Sequence, residues 1–172
     1  MDNKVSIDGT WERQFDFDMR SRAFFTVTSD RYTVRVSGGS VRVCDRATGE
    51  ELARFKGYNY LYTGDIKPDE SELFALENGK HFYIFSLKEM RQTHRITLPK
   101  TYRCMDMYGE YSEDGKTLYV PVCRITGSDG EHEYHYYVCE YETDGYTLRR
   151  MTPVEEEAAH HWPLPPQQPE TL

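Results

Sequence analysis

The sequence predicts an all-β protein built from about three repeated antiparallel units. Short apolar segments recur along the chain at near-regular spacing, with turn-forming residues between them. That pattern is typical of all-β sandwiches, barrels and propellers. The 172 residues also include 14 Tyr and 8 Phe, and these side chains favour half-buried strands.

The clearest repeat consists of a strand, a turn and a second strand. It occurs at residues 43–55, again at 84–96 and a third time at 139–151. Gly49 and Gly145 hold the same turn position in two of these copies, where glycine accepts a positive φ. Each copy ends in Arg followed by a large apolar residue, so the sequence indicates three units.

A second repeated element lies between these copies. Residues 64–75 and 109–120 both read as a strand, a polar turn and a strand, and residues 24–34 form a looser copy. The turns are Pro-Asp at 68–69 and Asp-Gly at 114–115. Pro presets φ and Gly accepts a positive φ, so both dipeptides predict tight turns.

The order of these elements resembles the blades of WD40 and YVTN propellers. Residues 112–118 (SEDGKTL) match one phrase of such blades, and residues 41–50 (VRVCDRATGE), after a predicted hairpin turn at 37–40 (SGGS), match the next. The resemblance covers roughly residues 22–151. The Trp-Asp and Gly-His signatures of WD40 blades are absent, so the YVTN type fits better.

This resemblance implies a partial propeller of about three antiparallel blades. Closed propellers usually have about four to eight blades, so three would leave exposed blade edges that invite pairing with another chain. We expect either a homodimer that completes a six-blade ring or a different protein partner. Residues 11–17 alternate like one more strand and are expected to complete the last blade. A β-sandwich or barrel with the same strands is the alternative fold.

The repeat ends after residue 151, which divides the predicted organisation in two. Residues 1–151 are expected to form a single propeller-like β domain, and residues 152–172 a short helix and a Pro-rich tail. Residues 152–155 read as a capping box with Pro153 at the first helical position.

No motif in the sequence predicts catalysis or a cofactor. None of the four cysteines lies in a C-x-x-C pair, so we expect buried, reduced thiols in a cytoplasmic protein. His132 and His135 are expected on opposite faces of a hairpin, which disfavours a metal site. The net charge of −8 disfavours nucleic acid and acidic lipid as partners, and no stretch is apolar enough to span a membrane.

Aromatic residues are the best candidates for a binding surface, because they bury a large area at low entropic cost. Tyr58, Tyr60 and Tyr62 alternate and are predicted to share one strand face. Residues 124–133 predict a long polar hairpin tip in the third unit. The candidate partner-binding residues are Tyr58, Tyr60, Tyr62, Tyr134, Tyr136, His132 and Trp162.

The function that these observations favour is a non-enzymatic, propeller-type scaffold that binds a protein or peptide. The first alternative is a small acidic inhibitor or immunity-type protein that binds a basic partner. The second is a hydrolase acting at the propeller axis, which a buried carboxylate or His at the centre of the blades would favour.

Overall fold

The computed structural model describes residues 3–7, 11–18, 22–105 and 107–160, with side chains from residue 25 onward. These residues form thirteen strands and one short helix, α1, at Glu156–His160. The strands are β1 Asn3–Ile7, β2 Trp11–Asp18, β3 Arg22–Thr28, β4 Tyr32–Asp45, β5 Glu51–Ile66, β6 Glu72–Glu77, β7 His81–Ser86, β8 Arg91–Thr97, β9 Tyr102–Arg103, β10 Glu110–Tyr111, β11 Thr117–Thr126, β12 Glu133–Glu142 and β13 Thr147–Val154. The all-β prediction is confirmed.

The strands form two antiparallel sheets. The larger sheet contains β1 to β8 in chain order, and the smaller contains β10 to β13, with β9 also paired to β11. Strands that follow one another in sequence pair with one another in both sheets. Short turns therefore make most of the connections, as antiparallel pairing allows.

The long strand β5 divides the larger sheet into two parts. Residues 51–56 pair with β4, and residues 61–66 pair with β6; Leu61 also pairs with Gly38 of β4. Gly57 lies between the two stretches with a φ of 94°. We call β3, β4 and the first stretch of β5 the first unit. The second stretch of β5 with β6 to β8 is the second unit, and the smaller sheet is the third.

The three units stack, with one hydrophobic core on each face of the second unit. On β6, Leu73 and Ala75 belong to the core shared with the first unit, and Phe74 and Leu76 to the core shared with the third. All four side chains are fully buried. Successive strand residues point to opposite faces, so a strand buried on both faces reads as a continuous apolar run, as in residues 82–85 (FYIF).

The first strands of the three units meet at one side of the stack. The backbone N–H of Tyr111 on β10 donates to Asp65 Oδ2 on β5 at 2.9 Å. The Tyr108 ring, just before β10, packs against Phe25 of β3 and Tyr62 of β5, with centroids 5.8 and 5.5 Å away. One strand from each unit therefore lines a common interior.

The predicted turns at 68–69 and 114–115 are present. Gly49 and Gly145 occupy matching turns with φ of 73° and 86°, as the repeat predicted. The predicted hairpin tip is also present, between β11 and β12.

The predicted capping box at residues 152–155 is wrong. Strand β13 continues to Val154, and Pro153 pairs with Tyr137. Proline is tolerated there because β13 is the edge strand of its sheet. On the open side of an edge strand, a missing N–H leaves no hydrogen bond between strands unmade. The helix begins one turn later, with the Ala159 N–H donating to the Glu155 carbonyl at 3.0 Å. Ala159 is fully buried in the core beside the third unit.

Two other expectations for the first unit need correction. Residues 11–17 lie in β2, which pairs with β3 and does not complete the last unit. A hairpin turn was predicted at residues 37–40, but β4 continues through them. Its pairing with β5 shifts register between Gly38 and Ser40. Gly38 has a φ of 52°, so the sequence marked an irregularity in the strand.

Candidate functional site

The hairpin of β11 and β12 extends beyond the rest of the third unit. Its pairing runs from Thr117–Glu142 to Thr126–Glu133. The neighbouring strand β13 ends with Val154 opposite Tyr136, so the last part of the hairpin is a two-stranded arm. Rigid scaffolds often present functional residues on such projecting segments.

One face of this arm carries aromatic and aliphatic side chains. Ile125 lies directly opposite Tyr134, and Cys123 directly opposite Tyr136, so all four share a face. The Tyr134 and Tyr136 rings are stacked, with centroids 6.5 Å apart and planes 18° apart. Tyr134 is 46% exposed; among the described residues, Leu52 and Tyr60 are the other exposed large hydrophobic side chains.

Helix α1 packs beside this face and fixes Tyr136. The Tyr136 hydroxyl donates to Glu156 Oε1 at 3.1 Å, and the His160 ring meets the Tyr136 ring edge-on at 5.6 Å. Burial and the Glu156 carboxylate raise the pKa of Tyr136 to about 12, so its hydroxyl is a neutral donor at pH 7. We call Ile125, Tyr134, Tyr136, Glu156 and His160 the hairpin–helix surface.

The structure separates the other candidates on this arm from that surface. His135 lies on the opposite face, where its Nε2 is 2.9 Å from Thr126 Oγ1. His132 is exposed in the turn just before β12. Trp162 lies outside the described residues.

Tyr58, Tyr60 and Tyr62 do not form one exposed face. In β4, Gly38 pairs with Leu61 and Ser40 pairs with Lys56. Residues 38–40 of β4 therefore span residues 56–61 of β5, so the longer stretch bulges and its side chains do not alternate regularly between the two faces. Tyr60 alone of the three tyrosines is exposed, at 61%.

The other two tyrosines pack into the protein. Tyr58 packs edge-on against Tyr83 at 4.7 Å, and its hydroxyl donates to Gln92 Oε1 at 2.7 Å. The Tyr62 and Tyr108 hydroxyls are 3.0 Å apart. These contacts assign Tyr58 and Tyr62 to packing between the units.

A buried carboxylate does lie where the first strands of the units meet. Asp65 is 1% exposed, but its Oδ1 accepts the N–H of Ile66 at 2.8 Å and its Oδ2 accepts that of Tyr111. Both carboxylate oxygens therefore accept hydrogen bonds from backbone N–H groups, and Asp65 joins the second unit to the third. The nearby Thr63 hydroxyl is buried without a hydrogen-bond partner.

A second polar link joins the same two units. The Tyr146 hydroxyl donates to Glu72 Oε2 at 2.7 Å and lies 2.8 Å from the Tyr111 hydroxyl. Since the Tyr146 proton is used on Glu72, Tyr111 donates to Tyr146. Burial raises the pKa of both phenols, so they stay neutral donors.

The four cysteines form no disulfide, and the described residues hold no cluster of metal-ligating side chains. Cys44, Cys104, Cys123 and Cys139 are free thiols, and the last three are buried. In the described part of the chain, no group of three or more His, Cys, Asp or Glu side chains is placed to hold a metal ion. The same part of the chain has no helix with the length and apolarity needed to cross a bilayer.

Sequence reasoning missed three members of the hairpin–helix surface, namely Ile125, Glu156 and His160. Alternation along β11 could have placed Ile125 in phase with its neighbours across the hairpin. The helix residues gave no such signal, because their contact with Tyr136 depends on how α1 folds back onto the sheet.

Comparisons with known proteins identify the fold and no family. No protein-family model matches the chain, and no curated protein matches it. Among solved structures, the chain is similar to hydrazine synthase from Kuenenia stuttgartiensis, with a TM-score of 0.62 and 15% identity over 87% of this chain. It is also similar to the dihydro-heme d1 dehydrogenase NirN in complex with DHE, with a TM-score of 0.48 and 15% identity over 71% of this chain. The chain spans 47% and 23% of those two chains.

Proposed function

We propose that this protein is a non-enzymatic scaffold module of propeller type that binds a protein or peptide through the hairpin–helix surface. The observation that carries the proposal is the exposed Tyr134 ring, stacked on a Tyr136 ring that α1 holds in place. An exposed aromatic side chain on an ordered support gains contact area on binding and loses little conformational entropy.

The three stacked units are interpreted as propeller blades. Hydrazine synthase, the solved structure with the higher TM-score, is a propeller-containing protein, and an identity of 15% supports a shared fold and nothing about chemistry. Propellers host enzymes as well as binding proteins, so the non-enzymatic assignment depends on the site. At the meeting point of the first strands, both oxygens of Asp65 are occupied by backbone N–H groups, which disfavours a role as a general acid or base.

A cytoplasmic location is part of the same proposal. It is supported by the four free thiols, since oxidising compartments favour disulfides.

Photo-cross-linking at position 134 tests the binding surface directly. Benzoylphenylalanine in place of Tyr134 keeps an aromatic ring on the surface and attaches covalently to whatever docks there. We expect a cross-link in native lysate to one defined segment of a protein, or to a second copy of this chain. The matched control carries the same group in place of Tyr60, which is exposed on the bulge of β5.

Mass spectrometry of the adducts distinguishes the outcomes. A segment captured at position 134 and absent from the control at position 60 supports the proposal. Identical, scattered adducts at both positions would show that position 134 is ordinary surface and would remove the proposed site.

A further inference from the structure

Four cationic residues lie on or beside the connection between β8 and β10. The Leu98 N–H donates to the Lys80 carbonyl and the Cys104 N–H to the Gly79 carbonyl, both at 2.8 Å. This ties residues 98–104 to the turn between β6 and β7. Within that connection, β9 pairs with Cys123 and Arg124 of β11. The backbone therefore brings together Lys80, Lys100, Arg103 and Arg124, which we call the basic cluster.

The basic cluster differs from several arginines of the described residues, which pair with carboxylates. Arg42 and Arg54 contact Glu51, Arg91 contacts Glu89, and Arg150 contacts Glu140. Within the described residues, by contrast, the side chains of the basic cluster make no hydrogen bond or ion pair, and all four are exposed. The Glu77 carboxylate lies at the same turn, where its Oε1 accepts the Lys80 N–H at 3.1 Å. In a chain of net charge −8, the four cations outnumber this carboxylate and leave a local excess of positive charge.

The basic cluster adjoins the hairpin–helix surface. Arg103 lies directly opposite Cys123, so it shares the face that carries Ile125 and Tyr134. Arg124 precedes Ile125 on β11 and points to the other face of the arm. A partner that covers Tyr134 and continues past Cys123 therefore reaches Arg103.

We propose that the basic cluster binds an acidic segment of the partner protein whose apolar residues cover Tyr134 and Tyr136. The inference deepens the proposed function and rests on it. A carboxylate of the partner pairs with Arg103 on the face that carries Tyr134, while Lys80, Lys100 and Arg124, which lies on the opposite face of β11, add a positive field that favours encounter. Arg is suited to this role, because its planar group binds a carboxylate through two parallel hydrogen bonds.

The surrounding charges favour a protein segment over a nucleic acid. Asp129, Glu131 and Glu133 lie at the tip of the same hairpin as Arg124 and repel a continuous phosphate backbone. An acidic protein segment can place its few carboxylates on the cations and avoid the tip. Nucleic-acid surfaces, in contrast, have cations along an extended stripe.

Fluorescence anisotropy with the full chain tests the charge preference. The probe is a short rhodamine-labelled peptide rich in Glu and Leu, compared with the same peptide carrying Lys for Glu and with a labelled oligothymidylate. We expect saturable binding of the Glu peptide that weakens as salt is raised. Binding of the Lys peptide should be much weaker.

The double substitution Arg103→Gln and Arg124→Gln should weaken binding of the Glu peptide about fivefold, since each exposed charge contact contributes modestly. The matched control is Arg91→Gln with Arg149→Gln, which removes the same charge from arginines paired with Glu89 and Glu142. The control should change binding by less than about twofold. Equal melting temperatures of the wild type and the cluster variant show that the fold is retained.

Three results would overturn the inference. They are the absence of saturable binding to the Glu peptide, tighter binding to oligothymidylate, and equal weakening in both double variants. A defined cross-link at position 134 together with any of these results would leave the proposed function standing and remove only the acidic partner.

Discussion

At the residue scale, the tyrosines divide into those that hold units together and those that face solvent. Tyr111 and Tyr146 are 4% and 5% exposed. The Tyr111 hydroxyl donates to Tyr146, and the Tyr146 hydroxyl donates to Glu72 of the neighbouring unit. Tyr134 and Tyr60 have large exposed fractions. The residue type alone does not distinguish these two groups, because a tyrosine can be accommodated in a core or on a surface.

The order of the hydrogen bonds in this link predicts the effect of removing each hydroxyl. Tyr146→Phe leaves the Tyr111 hydroxyl without its acceptor and leaves Glu72 Oε2 with only the Lys67 ammonium at 3.4 Å, so we expect a loss of about 2 kcal/mol in unfolding free energy. Tyr111→Phe removes only the outer donor and should cost about 1 kcal/mol. Tyr60→Phe is the control and should change stability by less than about 0.5 kcal/mol.

Urea unfolding at neutral pH measures all three variants. A larger loss for Tyr111→Phe than for Tyr146→Phe would contradict the assigned direction of donation.

At the element scale, the first strands of the second and third units have the same local geometry. A Cβ on Gly64 would lie 2.5 Å from the Phe74 carbonyl oxygen, and one on Gly109 would lie 2.8 Å from that of Tyr119. Gly64 and Gly109 align in the sequence repeat, as do Phe74 and Tyr119. The repeat therefore preserves a close approach of two backbones, which only glycine allows.

Gly109→Ala tests this close approach, because its Cβ would also lie 2.7 Å from Phe74 Cζ. We expect a loss of about 2–3 kcal/mol in unfolding free energy, as for other overpacked sites. The control is Gly79→Ala, whose nearest obstacle is the Glu77 carboxylate at 3.1 Å, the end of a side chain. Thermal or urea denaturation with equal losses in both variants would refute the steric argument.

At the scale of the whole molecule, the second unit is covered on both faces by the other units, whereas the third is covered by the second unit on one face and by α1 on part of the other. Phe74 and Leu76 of the second unit pack against the third. The matching positions on β11 are Tyr119 and Pro121, which alternate with the core residues Leu118 and Val120 and so face away from the second unit. Pro121 is already buried, whereas Tyr119 is only partly buried, so the part of this face around Tyr119 is suited to cover by a further unit.

We therefore expect the chain to associate with a second copy that completes a six-unit ring. Light scattering coupled to size exclusion should give twice 20.3 kDa at high protein concentration. Tyr119→Lys should shift the mass toward that of one chain, and Lys116→Glu, a charge change at an exposed turn, should not. A single-chain mass at every concentration would exclude closure by self-association.

The sequence by itself determined the all-β class, most of the strands and several of the turns. These depend on local chemistry: Asp114-Gly115 forms a turn whatever surrounds it, and alternation sets which side chains share a strand face. The tertiary structure alone decided where β2 pairs, that Pro153 lies in an edge strand, and that α1 folds back to hold Tyr136. It also decided that Tyr58 is partly buried against Tyr83 while Tyr60 is exposed. Such contacts join residues that are far apart in the chain. The free energy of each contact depends on packing between units, and a local sequence pattern does not encode that packing.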